Sequence, residues 1–528
     1  MQPLDWIVIG VYLAGLLAMA LVIGRRQASS TDYFLGGRQL SAPMLAASTL
    51  ATQCSTNSLL GAPAFVGFVA GGGLIWLQYE LAVPLAMLAL MWIMVPARRQ
   101  GVTSIYEILE NRVGRRSRLV AAAAFLFFRG VATAVTIYAS ALVVSLILDI
   151  DFLPAVILLM SLTLVYDLLG GLAAVVISDV LQLFLLLAAV ILSVLLIGDL
   201  IAWDFFAAGR SETLINDWGL SGEDYGFWPM LMGGIFLYAA YYGCDQSQAQ
   251  RILATRSVEE TQKVLLLNGL LRFPLVLLYC FLGLGLAVLA SQDASFMQHL
   301  PTLATGAPNL NMVFPAFVVE YFAPGVVGLI MVGIIAAAMS SIDSALNSLA
   351  AVTLEDFVRP RLSPETAPGR LLLYGRLCTL GWAMFAVAFS FQVDNIAPTV
   401  LEAVNKVGSM VNGPLLALIG SALLLSRISE TWALLGFCAG ILTNLVVAAL
   451  LPDVSWLWWN VIGFVVAASI THLGASFGPS ALEAAASGAV LDKSRQHNIR
   501  PSLIVTLLAA FLLILTLCLA LHYAQQPG

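Results

Sequence analysis

Residues Ser48–Gly61 read STLATQCSTNSLLG, and they interrupt an apolar segment, about 43–69, that is otherwise long enough to cross a membrane. A stretch so dense in hydroxyl and amide side chains, with Pro63 just beyond it, is poor material for a continuous lipid-facing helix. It suits a broken helix whose freed backbone carbonyls line a cavity and can coordinate a cation. The competing explanation, hydroxyls bonding back to their own helix or to a neighbouring one, fits a lone serine better than this density. The theme returns at Gly226–Asp245, GFWPMLMGGIFLYAAYYGCD, where Pro229, Gly233 and Gly234 stand inside an apolar run and Tyr238, Tyr241 and Tyr242 share one helical arc. Two interrupted helices five segments apart are the spacing expected of five-helix inverted repeats around a midplane site.

Composition agrees with a membrane setting: of 528 residues 60% are hydrophobic and 10% charged, and the mean hydropathy is +0.94. About fourteen runs approach the roughly 20 apolar residues that a spanning helix needs: 5–24, 43–69, 74–96, 118–148, 152–168, 173–198, 227–244, 263–290, 324–352, 371–391, 397–424, 430–451, 455–473 and 501–522. The expected fold is therefore an all-α polytopic membrane protein forming a single transmembrane domain over 1–528. An extra N-terminal helix (5–24) precedes a first repeat (about 42–200) and a second (about 227–424), and further helices fill about 430–522. The first segment lacks a basic n-region and a small-residue cleavage site, so it reads as a retained helix. About twenty of the 24 basic residues fall in alternate loops, which puts that face in the cytoplasm and both termini outside.

The six cysteines lie in or beside apolar segments without CxxC spacing, and the four histidines have no metal-ligand spacing. No phosphate loop, GxSxG or HExxH motif occurs. With a net charge of −6 there is no basic patch for nucleic acid. Nothing in the chain calls for an enzyme or an organic cofactor.

The most informative polar cluster at depth is AAAMSSIDSALNS, Ala336–Ser348. At about 100° per residue, Ala336, Ala337, Ser340, Asp343, Ser344, Asn347 and Ser348 share one face. Hydroxyls, carbonyls and a carboxylate are hard donors suited to an alkali cation. A second acid stands in YDLLGGLAAVVISDVLQ, Tyr166–Gln182: Asp179 lies inside the sixth segment, whereas Asp167 beside the Gly170–Gly171 turn reads as a solvated cap.

Five stretches resemble the sodium:solute symporter family, in order and over nearly the whole chain: DYFLGGRQL (32–40), GGLAAVVISDVLQ (170–182), DQSQAQRILATRS (245–257), AAAMSSIDSALNS (336–348) and NKVGSMVNGPLL (405–416). In that family the third stretch is the loop after the sixth core helix. The resemblance implies a leucine-transporter-type five-plus-five fold working by alternating access, with a main sodium site formed by the carbonyls of Ala51, Cys54 and Ala337 and the hydroxyls of Ser340 and Ser341. It also implies a second sodium site at Asp179, Ser340, Asp343 and Ser344, where Asp343 replaces the family's serine or threonine. Two carboxylates there call for a cation, sodium or a proton, unless a basic residue pairs with Asp343. One or two Na+ per cycle are expected.

The family's solute positions fall on Gln53, Ser55, Ser58, Leu74, Gln78, Tyr238, Tyr241, Tyr242 and Asn405, with Glu80 pointing off that face. Tyrosines and hydroxyls suit a small or partly apolar solute. Arg129 is a candidate anion or gating contact, which tilts the reading to an organic anion (monocarboxylate, pantothenate-like or sialic acid-like) over a sugar or a proline-like amino acid. The compact polar clusters argue against a continuous channel pore, and no signalling domain follows the last helix as in a solute sensor. The expected partners are a small solute and the lipid bilayer, with no nucleic acid and no obligate protein. The absence of an N-x-S/T sequon points to a bacterial inner membrane.

Overall fold

Backbone polar groups in hydrocarbon must be satisfied within the segment, and the long apolar runs here show no period-two alternation, so helices are the available solution. The computed structural model describes every residue except 26, 28, 54, 55, 149, 211–224, 299, 303–305, 364, 394–399, 426, 427, 476–498 and 524–528. Among the described residues the only β pairing is an isolated bridge between Thr302 and Pro308.

Eleven of the described helices are long and apolar enough to cross a membrane, against the fourteen segments expected. Three places account for the difference. Segments 152–168 and 173–198 are two helices that meet at a kink at Gly171, where the backbone is not helical, and are counted together as Phe152–Leu200. The described parts of the segment at 43–69 are Ala42–Gln53 and Thr56–Phe68, each too short to count, and the break expected between them lies outside the described residues; the segment at 227–244 is a π-helical turn, Pro229–Gly233, followed by only eleven α-helical residues.

We number the principal helices α1 (Pro3–Gly24), α2 (Ala42–Gln53), α3 (Thr56–Phe68), α4 (Leu74–Arg99), α5 (Arg115–Leu148), α6 (Phe152–Leu200), α7 (Gly234–Cys244), α8 (Gln246–Leu253), α9 (Val258–Gln292), α10 (Val326–Val352), α11 (Pro368–Ser390), α12 (Val400–Leu424), α13 (Glu430–Leu450), α14 (Trp456–Ala475) and α15 (Pro501–Tyr523). Their burial separates centre from rim. The apolar window containing α10 is 83% buried, whereas those of α1, α11 and α15 are 17%, 22% and 22% buried. Polar residues are affordable on α10 because its faces meet protein: α6, α5, α1 and α2 all pack on it.

Two expectations need correction. The second break does not fall at Gly233–Gly234, which stay helical; their missing side chains serve packing, since a Cβ on Gly233 would meet the Leu457 carbonyl oxygen at 2.6 Å. The chain instead turns at Asp245 (φ −76°, ψ 119°), whose carboxylate accepts the Ser247 N–H at 2.8 Å and caps α8. The stretch expected as a loop after this segment therefore contains a buried short helix, which follows the turn at Asp245. Asp167 is likewise no solvated cap. It is fully buried in α6, and its Oδ1 accepts from Asn347 of α10 at 3.5 Å. A third contact was not foreseen: Asp5 Oδ1 accepts the N–H groups of Gly325 (2.6 Å) and Gly328 (2.9 Å), so α1 caps the start of α10.

Candidate functional site

The end of α2 and the middle of α10 face each other through oxygen atoms. Ser341 Oγ donates to the carbonyls of Ala337 (3.2 Å) and Thr52 (3.3 Å), and Thr52 Oγ1, which donates to Ser48 O at 2.9 Å, lies 3.1 Å from Ser344 Oγ. Ser340 Oγ is buried without a hydrogen-bond partner among the described residues. Ala337 and Ser341 thus meet the end of α2 at Thr52, with Ser340 beside them on α10 and Ala51 buried one residue before Thr52, and the hydroxyls and carbonyls here are donors of the kind that suit a small hard cation. Cys54 and Ser55 lie outside the described residues. Thr52 belongs to this row and was not among the candidates, because its hydroxyl reads as an ordinary helix back-bond until α10 is placed beside it.

About one turn further along α10 the second cluster assembles Asp179, Ser344 and Asp343, all buried. The basic residue that reaches it pairs with Asp179, not with Asp343: Arg251 Nη2 lies 3.0 Å from Asp179 Oδ2. Ser48 Oγ donates to the same oxygen at 2.5 Å. Asp343 Oδ1 lies 3.3 Å from Ser344 Oγ, while Asp343 Oδ2 and Asp179 Oδ1 have no hydrogen-bond partner among the described residues.

Beside the first cluster opens a cavity of about 1220 Å³ of empty space, solvent at its mouth included. Of the expected solute positions, Gln53, Ser58, Tyr238, Tyr241 and Asn405 line it, and so does Arg129. Leu74, Gln78 and Tyr242 do not. The start of α4 is a 3-10 turn, Leu74–Trp76, running into Leu77–Glu80, and this register turns Trp76 and Tyr79 to the cavity instead. Leu74 and Gln78 are buried behind them, with Gln78 Nε2 donating to Ile75 O at 3.2 Å. Tyr242 is buried and donates its hydroxyl to Gln53 Oε1, so it holds a lining residue without lining the cavity itself.

Two cations face this space. Arg129 pairs with Asp245 (3.3 Å) and lies 5.9 Å above the centre of the Tyr241 ring. Arg272, overlooked in the sequence, grips Glu80 with two nitrogens (2.8 and 3.2 Å), donates to Tyr238 Oη at 2.8 Å and covers the Tyr238 ring at 4.8 Å. Glu80 is buried against Arg272 and Tyr238 and is not among the residues that line the cavity. Arg272 carried a readable signal, an arginine nine residues into an apolar segment.

A family model described as sodium:solute symporter family matches residues 33–440. The chain belongs to the sodium:solute symporter family. It is 27% identical over 480 residues to the sodium/sialic acid symporter NanT of Aliivibrio fischeri, covering 89% of this chain and 93% of that protein. It is 30% identical over 464 residues to sodium-coupled monocarboxylate transporter 1 of Mus musculus, covering 82% and 72%. Among solved structures, a substrate-bound, outward-open Na+-coupled sialic acid symporter aligns with a TM-score of 0.81 at 24% identity over 90% of this chain and 98% of that one. Mhp1, a nucleobase-cation-symport-1 family transporter in a closed conformation, aligns with a TM-score of 0.57 at 15% identity over 88% and 99%. At these identities the two structures speak for the fold. A sodium:solute symporter of this kind is a multi-pass membrane transporter that couples sodium to a solute, and the family's members are not enzymes.

Proposed function

We propose that this symporter imports a small organic anion by alternating access, drawing on sodium bound between α2 and α10 through Ala51, Cys54, Ala337, Ser340 and Ser341. The observation that carries the coupling is a shared wall: Thr52 and Ser341, which meet at the proposed ion site, also line the cavity. A sodium ion there would take over the carbonyls that Ser341 now bonds and order the end of α2, where Gln53 faces the solute. Coupling of this kind is reciprocal, because each ligand then favours the same arrangement of the shared residues. The five-plus-five repeat, with the arginine-rich face in the cytoplasm and both termini outside, completes the reading, and a bacterial inner membrane is the proposed location.

The anion is supported by Arg129 and Arg272, which both face the cavity beside Trp76, Tyr79 and Tyr241, and by carboxylate solutes in the names of two relatives. A neutral polyol or amino acid is the second reading, favoured by one observation: each arginine already has a carboxylate partner. Proteoliposome uptake separates them. With an inward sodium gradient, a monocarboxylate, pantothenate or a sialic acid should accumulate faster than with an equal potassium gradient. Sodium-driven uptake of a sugar or proline alone would select the neutral reading, and no sodium dependence for any of them would end the symport reading.

A further inference from the structure

Among the described residues Arg251 is the second largest side chain that is fully buried, only 1% exposed, on a helix the sequence placed in a loop. From α8 its guanidinium reaches three other elements. Nε donates to Ser48 Oγ of α2 at 2.6 Å, Nη2 donates to Asp179 Oδ2 of α6 at 3.0 Å and to Ser344 Oγ of α10, and Nη1 donates to the Ser247 carbonyl within α8. Asp179 and Ser344 are half of the four residues read as a second cation site. Two of the oxygen atoms that a second sodium would use, Asp179 Oδ2 and Ser344 Oγ, are therefore already acceptors to a fixed positive charge, and Ser344 Oγ spends its own hydrogen on Ser340 O at 2.5 Å. A free cation at Asp179 would displace the guanidinium or sit against it, and like charges in a buried site repel strongly.

The neighbours of Arg251 show what displacement would break. Gln250 Nε2 donates to Phe34 O and, at 2.9 Å, to Asn347 Oδ1 of α10. Gln246 Oε1 accepts from Ile105 N at 2.9 Å, and its Nε2 donates to Thr103 O at 2.8 Å. Tyr106 Oη donates to Cys244 O at 2.7 Å. Every one of these contacts ties the segment from Cys244 through α8 to elements on the arginine-rich face.

We infer that Arg251 is a tethered cation: its guanidinium takes the place of a second sodium and locks α8 and α2 to α6 and α10 while that face is closed, so the transporter binds one sodium per chain. The inference rests on the reading of the α2–α10 site as the sodium site and adds the stoichiometry. Saturation binding of radioactive sodium to the purified full-length chain tests it without knowledge of the solute. The wild type should bind one sodium. Arg251→Gln, which vacates Asp179 and Ser344 beside Asp343, should bind two, and Arg251→Lys, which keeps a tethered charge, should return to one. Two sodium ions on the wild type, or one on a folded Arg251→Gln protein, would overturn the inference. The wild-type count decides even where Arg251→Gln does not fold. No sodium on the wild type would instead strike the sodium-site reading itself, and this inference with it.

Discussion

At the scale of single residues, Glu80 and Arg272 show how much depends on a partner. Both are buried, and each neutralises the other through two contacts, with Tyr238 as the third member. Removing one partner of a buried pair leaves an uncompensated charge, a loss of roughly 3–5 kcal/mol, whereas replacing both with apolar groups of similar volume is often nearly neutral. Glu80→Leu and Arg272→Met should therefore each lower the melting temperature of the purified protein strongly, and the double variant should recover most of the loss. Equal and additive effects would show that the pair is not a unit. If Arg272 also meets the solute, the stable double variant should still transport poorly, with the larger change in KM.

Ser341 belongs to the same scale, since its hydroxyl lies between Ala337 and Thr52. A hydrogen bond or ligand contact to a charged group contributes roughly 1.5–3 kcal/mol. Ser341→Ala should accordingly weaken half-saturation by sodium about tenfold or more, read from sodium-dependent thermal shift. An unchanged midpoint would remove Ser341 from the site.

At the scale of elements, the polar stretch Ser48–Gly61 stood out in the sequence because the anomaly lies in the residues themselves; the centre of the break expected there, residues 54 and 55, lies outside the described residues. The second interruption was displaced by about ten residues. Gly233 and Gly234 look like breakers, yet they serve close approach to α14 and α4, and nothing in the sequence states which neighbour a glycine faces. The true turn at Asp245 is marked only by a capping aspartate, a signal shared with many helix starts. In α6 the reverse holds. Gly171, at φ +53° and ψ −164°, bends the helix in a conformation essentially reserved for glycine, and a Cβ there would approach Tyr33 O to 2.7 Å. Gly171→Ala should destabilise by roughly 1–3 kcal/mol from backbone strain alone, visible as a lower melting temperature. A variant as stable as wild type would mean that the bend is not held by this residue.

At the scale of the whole molecule, Thr52 and Ser341 join ion site and cavity, so the energetic consequence is a property of the assembly. Sodium should raise the affinity for the transported anion by the same factor by which the anion raises the affinity for sodium, typically 5–150-fold in coupled systems. Titrating each against fixed concentrations of the other in the purified protein measures both factors. Unequal factors would mean that the two ligands are not in one linked equilibrium, and factors of one would uncouple the shared wall from transport.

The membrane class, the helical segments and the row of oxygen donors on Ala336–Ser348 followed from the sequence alone, because hydropathy and helical periodicity are local properties of the chain. Which charges meet was decided only by the tertiary structure. Arg251 pairs with Asp179, Arg272 with Glu80 and Arg129 with Asp245 across separations of 72, 192 and 116 residues. Spacing along one helix states which face a residue is on, and nothing in it states what the opposite face will be. That is why Asp343 could be singled out from the sequence, while the arginine that occupies its neighbourhood could not.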